Sequence, residues 1–130
     1  MSDLYKRLQD VNEAGVYRLG CEVEILRANV ACADFALLET DLTQCGNKGE
    51  FLATIAAAIR APEWFGHNFD ALADALGDLS WLDVPGYVLL LRTDDSLGLA
   101  DADRDEVTQI FNDTVQYWRG QDKPFWVFFY

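Results

Sequence analysis

Two kinds of hydrophobic pattern alternate along the chain. Short unbroken apolar runs have the length and composition of buried strands. Stretches with an apolar residue every three or four positions have the period of amphipathic helices. The first clear run is Phe35-Ala36-Leu37-Leu38-Glu39-Thr40-Asp41-Leu42. It is nearly continuous at its start, as strands are when a parallel sheet is covered on both faces. Tyr87-Val88-Leu89-Leu90-Leu91, opened by Pro85-Gly86, is a second run, and Phe125-Trp126-Val127-Phe128-Phe129-Tyr130 is the last. Between the first two, Phe51, Leu52, Ile55, Ala58 and Ile59 share one helical face, in a helix that ends by Ala61 ahead of Pro62. Before the last, a long helix begins at Asp101, buries Val107, Ile110, Phe111, Val115 and Trp118, and ends at Gly120. Trp81, Trp118 and Trp126 read as core. Strands separated by helices predict parallel pairing through right-handed crossovers, an α/β fold.

The N-terminal part is weaker in pattern. Ser2 can cap a helix carrying Leu4, Leu8 and Val11, with Gly15 near its end. Residues 16–19 suit a short strand, and residues 22–29 a short helix using Val23 and Leu26. These pieces carry too little apolar surface to stand alone, so they are expected to dock on the main sheet as an added layer. A chain of 130 residues suits one domain, 1–130.

The stretch from Pro62 to Asp78 departs from simple core-building. Pro62 ends the preceding helix, Gly66 permits a turn, and Asn68 is placed to cap a new helix over 68–78. Phe69, Leu72, Ala73, Leu76 and Leu79 fall on one side. Asp70, Asp74 and Asp78 fall almost opposite, at i, i+4 and i+8. Like charges at that spacing destabilise a helix by about 0.2–0.5 kcal/mol per pair. Only Asp70, in the first turn, gains from the helix dipole. The stripe is either a solvated face or a site whose chemistry needs the carboxylates. The acids at 101, 103, 105 and 106 need no such account, because a first turn favours carboxylates.

Charge narrows the partners. Ten basic and 22 acidic residues give a net charge of −12. Binding nucleic acid through phosphates calls for the opposite sign, and a cationic protein is the natural complement. Cys21, Cys32 and Cys45 are odd in number and widely spaced, which suggests neither a disulfide framework nor a zinc site, and reduced thiols fit a cytoplasmic protein. The N-terminus lacks the apolar run of a signal peptide, and no stretch has the length of a membrane span. No glycine-rich phosphate loop is present. His67 is the only histidine, so a catalytic triad would have to run through it. His67, Asp70 and Asp74 have spacing compatible with one metal ion, but binding is the better reading. The expectation is a protein that is not an enzyme and has no cofactor or metal.

Pro62-Glu63-Trp64-Phe65-Gly66-His67-Asn68-Phe69-Asp70-Ala71-Leu72-Ala73-Asp74 resembles the signature of the barstar family: proline, acid, two aromatics, glycine, any residue, asparagine, hydrophobic, aspartate, alanine, leucine, any residue, aspartate. A looser resemblance covers residues 34–130, leaving 1–33 as an N-terminal extension. The resemblance implies a barstar-like two-layer α/β fold, a three-stranded parallel sheet packed by helices. It implies a bacterial intracellular inhibitor, or immunity protein, of a basic secreted barnase-type ribonuclease, monomeric when free. The partner-binding residues it implies are Asp74, which takes the place of an RNA phosphate, then Asp70, Trp64, Gly66, His67 and Asn68. Asp113 on the long helix matches a further acidic residue. The family prototype has a bulky aromatic between the two aspartates, where this chain has Ala73. Trp64 replaces a smaller aromatic and is expected outward, with Phe65 inward. His67 replaces an acid. The alternative is an acidic interaction or regulatory module whose basic partner is not a nuclease.

Overall fold

The computed structural model describes residues 3–62, 66–93 and 99–130. In chain order its elements are α1 (Asp3–Leu8), β1 (Val16–Arg18), α2 (Val23–Ala33), β2 (Ala36–Asp41), α3 (Lys48–Ala58), α4 (Phe69–Leu76), β3 (Tyr87–Arg92), α5 (Asp101–Gly120) and β4 (Phe125–Phe129). The strands form one parallel sheet in the order β1-β4-β3-β2. Burial follows position in that order. Tyr87, Val88, Leu89, Leu90 and Leu91 of central β3 are all buried, whereas edge strand β2 alternates. Gly86 sits where β2 and β3 begin, and a Cβ there would lie 2.6 Å from the Phe35 ring. The close approach requires glycine.

The two faces of the sheet are covered by different parts of the chain. In-register parallel strands point paired residues the same way and alternate along their length. Tyr87, Phe125 and Phe129 lie on the α5 face, where Tyr87 meets Trp118 at 5.0 Å and Phe129 meets Phe111 at 6.3 Å between ring centroids. Trp126, Phe128 and Glu39 lie on the other. There Trp126 donates its indole N–H to the Leu8 carbonyl at 2.9 Å, and Arg27 of α2 grips Glu39 with two hydrogen bonds of 3.1 and 2.8 Å. The N-terminal segment is thus the added layer its sparse apolar residues called for.

Four strands stand where three were expected, because β1 pairs with the outer edge of β4. The Val127 N–H donates to Gly15 O at 3.0 Å and the Leu19 N–H to Phe129 O at 2.8 Å. Without β1 those groups of β4 would have no partner in the ladder. Arg119 of α5 locks the same segment, donating to Val11 O and Ala14 O, each at 2.9 Å. Two helix boundaries in the N-terminal segment also differ. The first helix stops at Leu8, before Val11, where the Asp10 side chain accepts from the Asn12 N–H at 2.9 Å and turns the chain. The second runs past Asn29 to Ala33, because Val30 and Ala33 continue its buried face, and it closes on Asp34 in the left-handed region (φ 63°). Ser2 lies outside the described residues. Trp118 and Trp126 are buried, while Trp81 is half-buried, its indole N–H on Ile59 O at 2.9 Å.

Candidate functional site

α4 is eight residues long, too short to hold its shape in water alone. The protein anchors it at both ends and along one side. At the start, the Asn68 side chain accepts the Ala71 N–H at 2.7 Å and donates to Gly66 O at 3.0 Å. At the end, the buried indole of Trp118 donates to Leu76 O at 2.8 Å. Phe69, Leu72, Ala75 and Leu76 are buried, and the Lys48 ammonium sits 4.1 Å from the centre of the Phe69 ring. The buried stripe uses Ala75 in place of the expected Ala73, which is exposed. The reason is the clamp by α3 and α5, which rotates the helix so that Ala75 points inward with Leu72 and Leu76. Leu79 is buried too, but from a left-handed turn beyond the helix (φ 49°).

On the outer face, Asp70 and Asp74 are both exposed. Among the described residues, no ion pair reaches either. The helix ends at Leu76, so Asp78 leaves the stripe and sits in the following turn. Several carboxylates elsewhere are partnered. Glu39 and Glu24 hold Arg27, and Asp101 holds Arg104. The hydroxyl and N–H of Thr43, at 2.6 and 2.8 Å, hold Asp41 below the usual carboxylate range. The field of the acids also reaches inward: burial first, then Asp83 and Asp78, push the Tyr87 phenol above its ordinary value.

The loop ahead of α4 differs in one respect from the sequence-based expectation. The left-handed backbone falls on His67 (φ 47°), not on Gly66. A Cβ at Gly66 would instead come within 3.2 Å of the Asn68 amide, so glycine there makes room for the cap. Gly66, His67 and Asn68 are all exposed. Trp64 and Phe65 lie outside the described residues.

Asp113 lies on α5 and is exposed, accepting from Gln109 at 2.7 Å. It lines a groove of about 210 Å³ with Ala73 and Gly77 of the α4 side and with Tyr117, one helical turn on. The fold therefore brings Asp113 into one groove with Ala73 and Gly77, from separate segments of the chain. Tyr117 was missed by sequence reading. Its ring is 48% exposed and meets Trp118 edge-on at 5.1 Å. The available signal was an aromatic four residues after Asp113 and off the apolar face of α5.

Chemically, this surface can accept hydrogen bonds from cations. Among the described residues, no group of three His, Cys, Asp or Glu side chains is placed to hold a metal ion, and His67, Asp70 and Asp74 do not form one. No helix there is long and apolar enough to cross a membrane. The family model described as Barstar (barnase inhibitor) matches residues 35–130. Comparison with curated proteins gave no match.

Proposed function

Because the chain belongs to the barstar family, we propose that α4 and the loop before it plug the active-site cleft of a basic, barnase-type ribonuclease. The observation that carries this reading is the pair Asp70 and Asp74, exposed and unneutralised on a helix fixed at both ends. A ribonuclease holds an RNA phosphate with cationic side chains. A preformed carboxylate can occupy that place through charge-assisted hydrogen bonds, bidentate to arginine. Asp74 is the principal phosphate mimic, Asp70 a second contact, and Asp113 a third from across the groove. Trp64, His67 and the Gly66 backbone are further contacts for the enzyme, with Asn68 holding the loop.

Rigidity matters because ordering the helix at the moment of binding would reduce affinity. The net charge of −12 steers a basic enzyme toward the surface, most strongly at low salt. The inhibitor works without catalysis or cofactor, as a monomer in the bacterial cytoplasm, protecting the producing cell's RNA.

A second reading is favoured by Ala73, which leaves open the groove in front of Tyr117 where the family prototype has a bulky ring. On that reading the same acidic surface serves a basic partner that is not a nuclease. Titrating the protein into a panel of barnase-type ribonucleases, while following RNA cleavage, decides between them. Stoichiometric loss of cleavage with one enzyme is the expected result. Undiminished cleavage by every enzyme at equimolar protein would overturn the first reading.

A further inference from the structure

We propose, resting on the reading of the α4 surface as a dock for a basic protein, that the groove between α4 and α5 is a socket for one arginine side chain of that partner, and that Tyr117 selects arginine over lysine there. The groove holds about 210 Å³. That is below the range of about 300–1,000 Å³ typical of small-molecule sites, so a side chain suits it better than a separate ligand.

Two small residues keep the groove open. Ala73 is exposed, and Gly77 closes α4. Glycine just past a helix usually supplies a left-handed backbone, but Gly77 is right-handed (φ −82°). Among the described residues, a Cβ there would meet nothing nearer than the Ala73 carbonyl at 3.4 Å, an ordinary contact. Neither backbone nor packing calls for glycine at this position. What its missing side chain provides is space in the groove that Tyr117 also lines.

The walls suit a guanidinium on an aliphatic stem. On α5, Ile110, Asp113, Thr114 and Tyr117 recur every three or four residues and form one stripe along the groove. Ile110 and Thr114 are buried, and the Thr114 hydroxyl already donates to Ile110 O at 2.8 Å, which leaves an apolar bed. Tyr117 stands at one end, its exposed ring braced edge-on by Trp118. Asp113 is one turn earlier. The neutral Gln109 amide takes one of its oxygens and leaves its charge and its other oxygen for a cation. Among the described residues, no cationic side chain lines the groove. An arginine laid along the bed stacks its plane on the Tyr117 ring and aims its N–H donors at Asp113. A lysine brings the charge without the plane. The acidic face of α4 borders the same groove, because Asp70 precedes Ala73, and Asp74 precedes Gly77, by three residues, and such residues are neighbours on a helix.

The test is an NMR titration of the isotopically labelled full chain with hexa-arginine and, separately, hexa-lysine peptide, following the backbone amides. Hexa-arginine should bind about fivefold to tenfold tighter, with the largest shifts at residues 73–77 and 110–117. Tyr117→Leu, at an exposed position, and Gly77→Leu, which fills the groove, should each bring the two peptides to equal affinity. Tyr117→Phe should keep the preference. The amide spectra show directly whether each variant stays folded. No preference for arginine in the unaltered chain, or a preference that survives in folded Tyr117→Leu, would overturn the proposal. The peptides need no nuclease, so the two readings fail separately. Arginine preference that depends on Tyr117, beside undiminished RNA cleavage by every enzyme, removes the ribonuclease and keeps the groove. Inhibition of an enzyme without arginine preference removes the groove alone.

Discussion

α4 and α5 both open on carboxylates, and they treat them oppositely. α5 is 20 residues long and carries Asp101, Asp103, Asp105 and Glu106 at its start. Arg104 returns to pair with Asp101, and the helix dipole favours Asp103, also in the first turn. Its first residue follows Ala100, which caps nothing with its side chain. It does not need to, because Val107, Ile110, Phe111, Thr114, Val115 and Trp118 are all buried. α4 has eight residues, a side-chain cap at Asn68, a clamp from Trp118 and no cation on its outer face. In α5, the first carboxylate has a cation and the helix is held by burial along its length. In α4, the ends carry the anchoring and, among the described residues, neither Asp70 nor Asp74 has an ion pair. A short helix fixed in this way presents carboxylates at defined positions, as a recognition element must.

The largest test of that contrast is Asp74→Ala. Removing one member of a buried, hydrogen-bonded charge pair costs about 2–5 kcal/mol, some 30- to several-thousand-fold in the inhibition constant. Asp103→Ala on α5 and Asp78→Ala beyond α4 should leave that constant nearly unchanged. Equal small effects at all three positions would erase the distinction between the helices. Next in size is the cap. Asn68→Ala should lower stability by about 1 kcal/mol in urea denaturation, and loosen inhibition further because the carboxylates lose their fixed placement. Installing the missing cap on α5, as Ala100→Ser, should raise stability by about 0.5–1 kcal/mol without altering inhibition; if inhibition changes, α5's start belongs to the site after all.

The smallest effect concerns pH. Burial, Asp83 and Asp78 raise the Tyr87 phenol in the folded protein, so above the ordinary tyrosine value the folded state binds more protons than the unfolded one. The stabilisation is complete below that value and is lost as pH climbs through the raised one. Denaturation midpoints should therefore fall on the alkaline side, and Tyr87→Phe should flatten that fall. An unchanged alkaline slope in the variant would assign the loss to another group.

Much of this was readable before any coordinates. The apolar run from Tyr87 to Leu91 announces a strand covered on both faces, and Asn68 ahead of Phe69 announces a cap, because both signals act within a few residues. β1 has only three residues and no pattern of its own. Its place was decided by the vacant edge of β4, more than a hundred residues away. Likewise, the helical period allowed either Ala73 or Ala75 to face inward, and the packing of α3 and α5 chose Ala75.

By itself, the order of residues determined the strands, the main helices, the acidic stripe and the family to which residues 35–130 belong. Those follow from local spacing and short-range hydrogen bonding. Only the tertiary structure decided that Asp113 and Tyr117 share a groove with Ala73, that Asp78 leaves the stripe, and that residues 3–33 complete the sheet and cover its second face. Such choices depend on which distant surfaces need covering and which backbone groups need partners. That demand arises only when the chain has closed on itself.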